Sequence, residues 1–417
     1  MVLGPGGSGV SVLAAAAALT GVPASQRGAV LPIAGQQRDT LLITLDARSP
    51  MPSWLGVYRV PGEPVPVTSG VDLLHVEHLD VIEQAWAEFT AALTALTAGR
   101  SALPVVGTLA SIAPGELTNL PGAAEFLLLR RVRDAATSGR WRRIVVDFSG
   151  VGDPFTLLRA PTVLSAAIER MWPRAKRLAQ AGEKPVLAQL SAAVEGIDRD
   201  CRDLADLFTD PHSVAAHLVI DPTERGRRAV ADQVAIAELT ALPLRSVLVS
   251  AGDRDRSTAA TAATVRGLLG DLDDVRVQEI ASAGVLDRLS RIRKVSVPVP
   301  APSGRPYGSG ALSVAKLSGD GVDTVFELKW RQSMPEPERL RLGRSGDDLL
   351  VAVAGFRHPV RLPSVLRRCR VVGADWADGA LSVRFTPDAA VWPADRRNTG
   401  RPGSSSPAET IEQDPPE

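Results

Sequence analysis

The sequence predicts a doubly wound α/β domain built on a mostly parallel sheet, followed by a small all-β sandwich. Three observations carry this. From residue 1 to about residue 294, short unbroken apolar runs alternate with helical patterns, as strands covered on both faces do. Residues 295–310, VSVPVPAPSGRPYGSG, interrupt that rhythm with proline, glycine and serine. Beyond them the apolar runs are short, closely spaced and separated by turn signals, the pattern of a sandwich.

Along the chain, an apolar run at 1–3 enters a glycine-rich loop and a helix is expected over 11–19. The strands expected next are 40–45 (TLLITL), 71–76, 143–148 (RIVVDF), 216–220 and 244–250 (LRSVLVS). Helices are expected over 81–97, 122–137, 162–181, 186–207 and 223–241, where apolar residues recur at helical spacing. This places an α/β domain at 1–294 and an extended linker at 295–310. A sandwich is expected at 311–388, with strands at 324–330, 339–342, 348–354, 358–362, 369–373 and 380–385. Ser345-Gly346-Asp347 and Ala377-Asp378-Gly379 mark two of its turns. The polar, Pro/Ser-rich stretch 389–417 is expected to be a disordered tail.

Composition removes several function classes. Of 417 residues, 45% are hydrophobic and 23% charged, which fits a globular chain. Lys and Arg number 47, as do Asp and Glu, so no net field favours nucleic acid. Cys201 and Cys369 are too few for a four-ligand zinc site, and two free thiols of a reducing cytoplasm are expected. Residues 10–22, VSVLAAAAALTGV, imitate the apolar core of a signal peptide, but no Lys or Arg precedes them. No run reaches the ~18 apolar residues of a membrane span. His75 and His78 lack partners at metal-binding spacing and are expected to be structural or surface histidines.

The glycine-rich start, MVLGPGGSGVS, has the context of a phosphate-binding loop. Glycines let backbone N–H groups converge on a phosphate, and the following helix N-terminus favours the anion. Against G-x-x-x-x-G-K-[ST], the chain offers Gly4, Gly9 and Ser11, with Val10 in the lysine position. No lysine precedes Lys176. A tight strand-to-helix turn that needs no ligand explains the same glycines.

These residues resemble the ArsA/GET family of deviant P-loop ATPases, which includes arsenite-pump ATPases and ATPases that target tail-anchored membrane proteins. The family loop is G-K-G-G-V-G-K-T, and GPGGSGVS keeps each glycine. Residues 41–46 (LLITLD) resemble the strand ending in the first switch aspartate, and Pro121-Gly122 a Pro-Gly ahead of the helix before the second switch. Residues 145–161, VVDFSGVGDPFTLLRAP, resemble the second switch. HLVIDPTE at 217–224 resembles a strand ending in Pro-Thr-Glu. Residues 346–356, 360–363 and 378–385 resemble the small-heat-shock-protein (α-crystallin-like) sandwich that bacterial members carry at the C-terminus.

The resemblance implies a P-loop NTPase-like fold with ATP and Mg²⁺ as ligands. The nucleotide would lie on Gly4, Gly6, Gly7, Ser8, Gly9, Val10 and Ser11. Ser11 and Asp147 would hold the magnesium, and Asp46 would orient an attacking water. The departures fall on these contacts. Both family loop lysines are replaced, by Pro5 and Val10. The Thr, Pro and His of the second switch become Phe148, Gly150 and Asp153, and Ser250 stands where the family has an adenine-reading Asn. With one cysteine in the ATPase region, metalloid binding is not expected.

The expected function is therefore a cytoplasmic ArsA/GET-like protein with a degenerate Walker A loop, weak or absent hydrolysis and a regulatory role. Its expected partner is a second copy or an intact, lysine-containing relative. An active ATP-hydrolysing member, in ion transport or protein targeting, is one alternative. A chaperone-like protein-binding module in the sandwich is another. The helical region 161–207 carries Arg170, Arg174, Lys176 and Arg177 and a single methionine, Met171. It is expected to be a solvent-facing charged pair of helices, with a protein-docking surface as the alternative.

Overall fold

The computed structural model describes residues 1–20, 38–97, 122–182, 185–253, 256–270, 274–282, 284–333 and 340–392. Among them, eight strands form one sheet: β1 (Val2–Leu3), β2 (Arg38–Thr44), β3 (Val65–Thr68), β4 (Val71–His75), β5 (Trp141–Asp147), β6 (Ala216–Ile220), β7 (Leu244–Ser250) and β8 (Arg276–Ile280). Their order is β3-β4-β2-β5-β1-β6-β7-β8, parallel except for the edge strand β3. Short β1 lies inside the sheet, with Val2 opposite Asp147 on β5 and His217 on β6.

Strand residues alternate between two cores. Leu41 and Ile43 join one apolar cluster and Leu42 the other, so both faces are covered and the strands read as continuous apolar runs. On one face lies α1 (Val10–Leu19), with α2 (Met51–Leu55) and α10 (Leu289–Ile292). Ala14 to Ala18 are all buried. The stretch that imitated a signal-peptide core is, over its described residues, a buried helix whose alanines favour the helical state and leave room for close packing. On the other face lie α4 (Ala123–Thr137), α5 (Pro154–Met171), α7 (Pro185–Thr209), α8 (Glu224–Leu239) and α9 (Ala259–Leu269). Helix α3 is His78–Thr97 and α6 is Arg174–Ala181.

Three expectations need correction. The helix expected over 162–181 is two helices. Helix α5 begins earlier, where Asp153 caps it by accepting from Phe155 N (3.3 Å) and Thr156 N (3.1 Å), with Pro154 in the first turn. It runs through Pro161 and ends at Trp172, because Pro173 forces the preceding residue out of the helical region. Next, Arg177 does not face solvent. It is fully buried, donating to Glu195 (2.6 Å) and to the Trp172 carbonyl, which pins α6 to α7. Finally, the 295–310 stretch, expected as an extended linker, is packed against its surroundings at both ends. Val295 and Val297 point into the α1 core while Ser296 and Pro298 face out, a strand-like alternation. Tyr307 and Ser309 are also buried, and Ser309 Oγ donates to the Leu239 carbonyl at 2.7 Å.

The following sandwich has β9 (Ser313–Ser318), β10 (Val325–Arg331), β14 (Cys369–Ala377) and β15 (Ala380–Pro387) in one sheet, ordered β14-β15-β10-β9. β11 (Arg341–Ser345), β12 (Asp348–Val353) and β13 (Phe356–Arg361) form the other. The β14–β15 turn places Asp378 and Gly379 at positive φ, 52° and 70°, as a two-residue hairpin requires. The sandwich docks on the α/β unit. The Phe356 ring meets Phe155 of α5 edge-on at 6.4 Å, the Arg159 guanidinium lies 4.8 Å over it, and Arg331 Nε donates to buried Glu238 of α8 at 2.8 Å. The expected tail lies outside the described residues from 393 onward.

Candidate functional site

The glycine loop joins β1 to α1 at the carboxyl end of the sheet. Strand β1 neighbours β5 and β6, while α1 carries the chain to β2 beyond β5. Ligands of open α/β sheets bind at such a switch point. Gly7 (φ 85°) and Gly9 (φ 93°) occupy the left-handed region, Gly9 at the N-cap of α1. Gly4 answers a different need. A Cβ there would come within 2.3 Å of the Val219 carbonyl oxygen on β6. The N–H groups of Gly6, Gly7 and Gly9 find no acceptor among the described residues.

The loop forms one wall of an open cavity of about 260 Å³, faced by Trp54, Phe148, Ser149 and Gly150. Gly4, Gly6, Gly7, Gly9, Val10 and Ser11 all line it. Ser8 does not; it is buried, with its hydroxyl unpartnered among the described residues. A second cavity of about 200 Å³ adjoins Gly7 and Gly9 and is bounded by Ser250, Asp253, Ile280 and Leu286. The loop cavity's lining contains no Lys, Arg, Asp or Glu. Val10, in the lysine position, is packed with Leu13 and Ala14 in the α1 core.

Neither acidic candidate lines this wall. Asp147 is 0% exposed. Its Oδ1 accepts from Ser149 N (3.0 Å), and its Oδ2 accepts from Ser149 Oγ (2.9 Å) and Thr44 Oγ1 (3.2 Å). Burial pushes its carboxyl up to about 6, against the opposing pull of hydrogen bonds from Ser149, Ser11 and Thr44. Ser11 Oγ is 2.7 Å from Ser149 Oγ. Asp46 does not line the cavity. Its Oδ1 accepts from Arg48 N at 2.9 Å, its carbonyl meets His75 Nε2 at 3.0 Å, and its side chain fills the space where Gly150 lacks a Cβ. Sequence reasoning singled out neither Ser149, Thr44 nor Trp54. A signal for Ser149 existed in Asp-x-Ser, the spacing at which an aspartate accepts the N–H two residues on.

This arrangement suits a phosphate: positive-φ glycines, N–H groups without an acceptor among the described residues and a helix N-terminus lie along one concavity. It suits magnesium poorly. Phosphate loops hold that ion through the loop Ser/Thr hydroxyl and a strand-end aspartate; here Ser11 Oγ is tied to Ser149, and Asp147 is buried off the wall.

The fold and site define a doubly wound α/β protein with a glycine-rich strand-to-helix turn, carrying a β-sandwich. Residues 323–385 match the family described as the HSP20-like domain found in ArsA. The chain is 32% identical to protein Rv2184c of Mycobacterium tuberculosis over 440 residues, spanning 94% of this chain and 96% of the relative. It is 33% identical to protein SCO2128 of Streptomyces coelicolor over 417 residues, spanning 95% and 99%. The chain belongs to one family with these two proteins, and its C-terminal domain relates it to ArsA. No helix among the described residues is long and apolar enough to cross a membrane.

Proposed function

We propose that this is an ArsA/GET-like nucleotide-binding protein of the cytoplasm that holds ATP phosphates on its glycine loop and hydrolyses them slowly or not at all. The observation that carries this is the wall of the loop cavity, which has N–H donors but neither a cation nor a carboxylate. Gly6, Gly7 and Gly9 would hold the phosphates, and the cavity beside Ser250 would take the base. When bound, ATP supplies the charge and the scissile phosphate. The chain supplies backbone dipoles, and Trp54 and Phe148 partly screen the site from water.

Hydrolysis needs charge opposite the transferring phosphoryl group. Losing ~3–4 kcal/mol of transition-state stabilisation slows a reaction roughly 100–1000-fold. The purified protein is therefore expected to show little ATP turnover, and Val10→Lys is expected to tighten nucleotide binding. Turnover typical of P-loop ATPases in the wild type would overturn this reading. In the family this chain resembles, paired units donate a loop lysine across the interface, and Pro5 cannot donate one. The role that follows is pairing with a lysine-containing relative, which would place its own lysine on this chain's nucleotide. Mass spectrometry of the complex purified from the native cell tests it, and recovery of only monomer or homodimer would count against it.

A further inference from the structure

We infer that the Ser149 hydroxyl takes the place of a divalent cation, so that the glycine loop engages nucleotide independently of magnesium. The inference rests on the nucleotide reading above. Ser149 Oγ stands between the two groups expected to hold the ion, 2.7 Å from Ser11 Oγ and 2.9 Å from Asp147 Oδ2. Its N–H, at 3.0 Å, holds the other carboxylate oxygen, and Thr44 Oγ1 completes the set at 3.2 Å. The Asp147 carboxylate thus accepts three hydrogen bonds, two of them from Ser149, and has no exposed surface. An ion or its water shell approaching from Ser11 would have to displace the Ser149 hydroxyl.

The second aspartate offers no substitute. Asp46 is held by Arg48 N and pressed against Gly150, off the cavity wall. In other phosphate loops the ion is held by the loop Ser/Thr hydroxyl and a strand-end aspartate. Here the Ser11 hydroxyl is tied to Ser149 and the Asp147 carboxylate is enclosed. Ser149 is therefore a positioning residue, fixing Ser11 and Asp147 in the arrangement that a cation organises in other phosphate loops.

The test is calorimetric binding of adenylyl imidodiphosphate, a non-hydrolysable ATP analogue, in magnesium chloride and in EDTA. Wild type should bind with affinities that agree within about twofold in the two buffers. Ser149→Ala should uncover Asp147 and make binding roughly tenfold tighter with magnesium than in EDTA. Ser149→Thr keeps the hydroxyl and should behave as wild type, which separates loss of the bridge from a folding defect. Wild-type binding that needs magnesium would overturn the inference and leave the nucleotide reading standing, and so would loss of that dependence in Ser149→Ala, which would make the hydroxyl a ligand. Binding by neither wild type nor any variant, in either buffer, would overturn both.

Discussion

Where the backbone angle is ordinary, a missing Cβ matters if something occupies its place, and Gly4 and Gly6 differ in this. At Gly4 a methyl group would press on the Val219 carbonyl oxygen and push β1 off β6, whereas at Gly6 nothing lies within 4 Å. Gly4→Ala is expected to cost ~1–3 kcal/mol, and Gly6→Ala less than about 0.5 kcal/mol, both read by chemical denaturation. Equal losses would show that β1 is not held against β6 as described. His358 makes a second residue-scale prediction. Burial first, and then Arg159, push its imidazole down from the ordinary 6.5 to about 4. The unfolded chain then takes up a proton that the folded chain refuses, so stability is full above ~6.5 and falls as pH drops toward ~4, by at most ~1.4 kcal/mol per pH unit. Asp147 has the opposite sign. Its folded value of about 6 lies above the ordinary 3.8, so its contribution is present below ~3.8 and lost as pH rises through ~6. The His358 share is isolated by comparing wild type with His358→Asn. The variant's stability deficit at about pH 7 should shrink at about pH 5; a constant deficit would refute the assignment.

At the scale of elements, the 295–310 segment begins with a strand-like alternation of burial over 295–298. Val297→Asp would bury a charge in the α1 core and should cost more than ~3 kcal/mol, while Ser296→Asp, pointing outward, should stay within about 0.5 kcal/mol. Similar urea midpoints for the two variants would restore the exposed-linker reading. That segment was hard to read because its prolines and glycines signal a loop, whereas its burial depends on a groove made by α1 and α10. The strands of the sheet interior were legible because both faces are apolar. Runs 216–220 and 244–250 coincide with β6 and β7. The edges were not: β3 (VPVT) contains proline, β8 (RVQEI) is mostly polar, and β9 (SVAKLS) is exposed along its whole length. The site divides in the same way. Local spacing displays the glycine loop, while the Ser11–Ser149–Asp147 bridge exists only because the sheet sets Ser149 beside α1, 138 residues from Ser11.

At the scale of the molecule, the sandwich and the α/β unit share one apolar core, in which Leu328, Val351 and Phe356 join Leu129 and Val234. The polar lock beside it is Glu238, which takes Arg331 Nε and the Ser333 N–H while burial raises its carboxyl above the ordinary range. Wild type is therefore expected to unfold in one calorimetric transition. Glu238→Ala leaves Arg331 without its carboxylate and should cost ~3 kcal/mol, lowering that transition or splitting it in two. Two transitions in the wild type would refute the shared core.

The place of β1 in the middle of the sheet also sets a timetable. Its neighbours are residues near Asp147 on one side and His217 on the other. A ribosome adding ~5–20 residues per second needs roughly 10–40 s to reach the second of these. Through that interval the glycine-loop segment has only part of its scaffold. Its shape is fixed only once β6 stands beside β1, and any ligand that depends on that shape must wait until then.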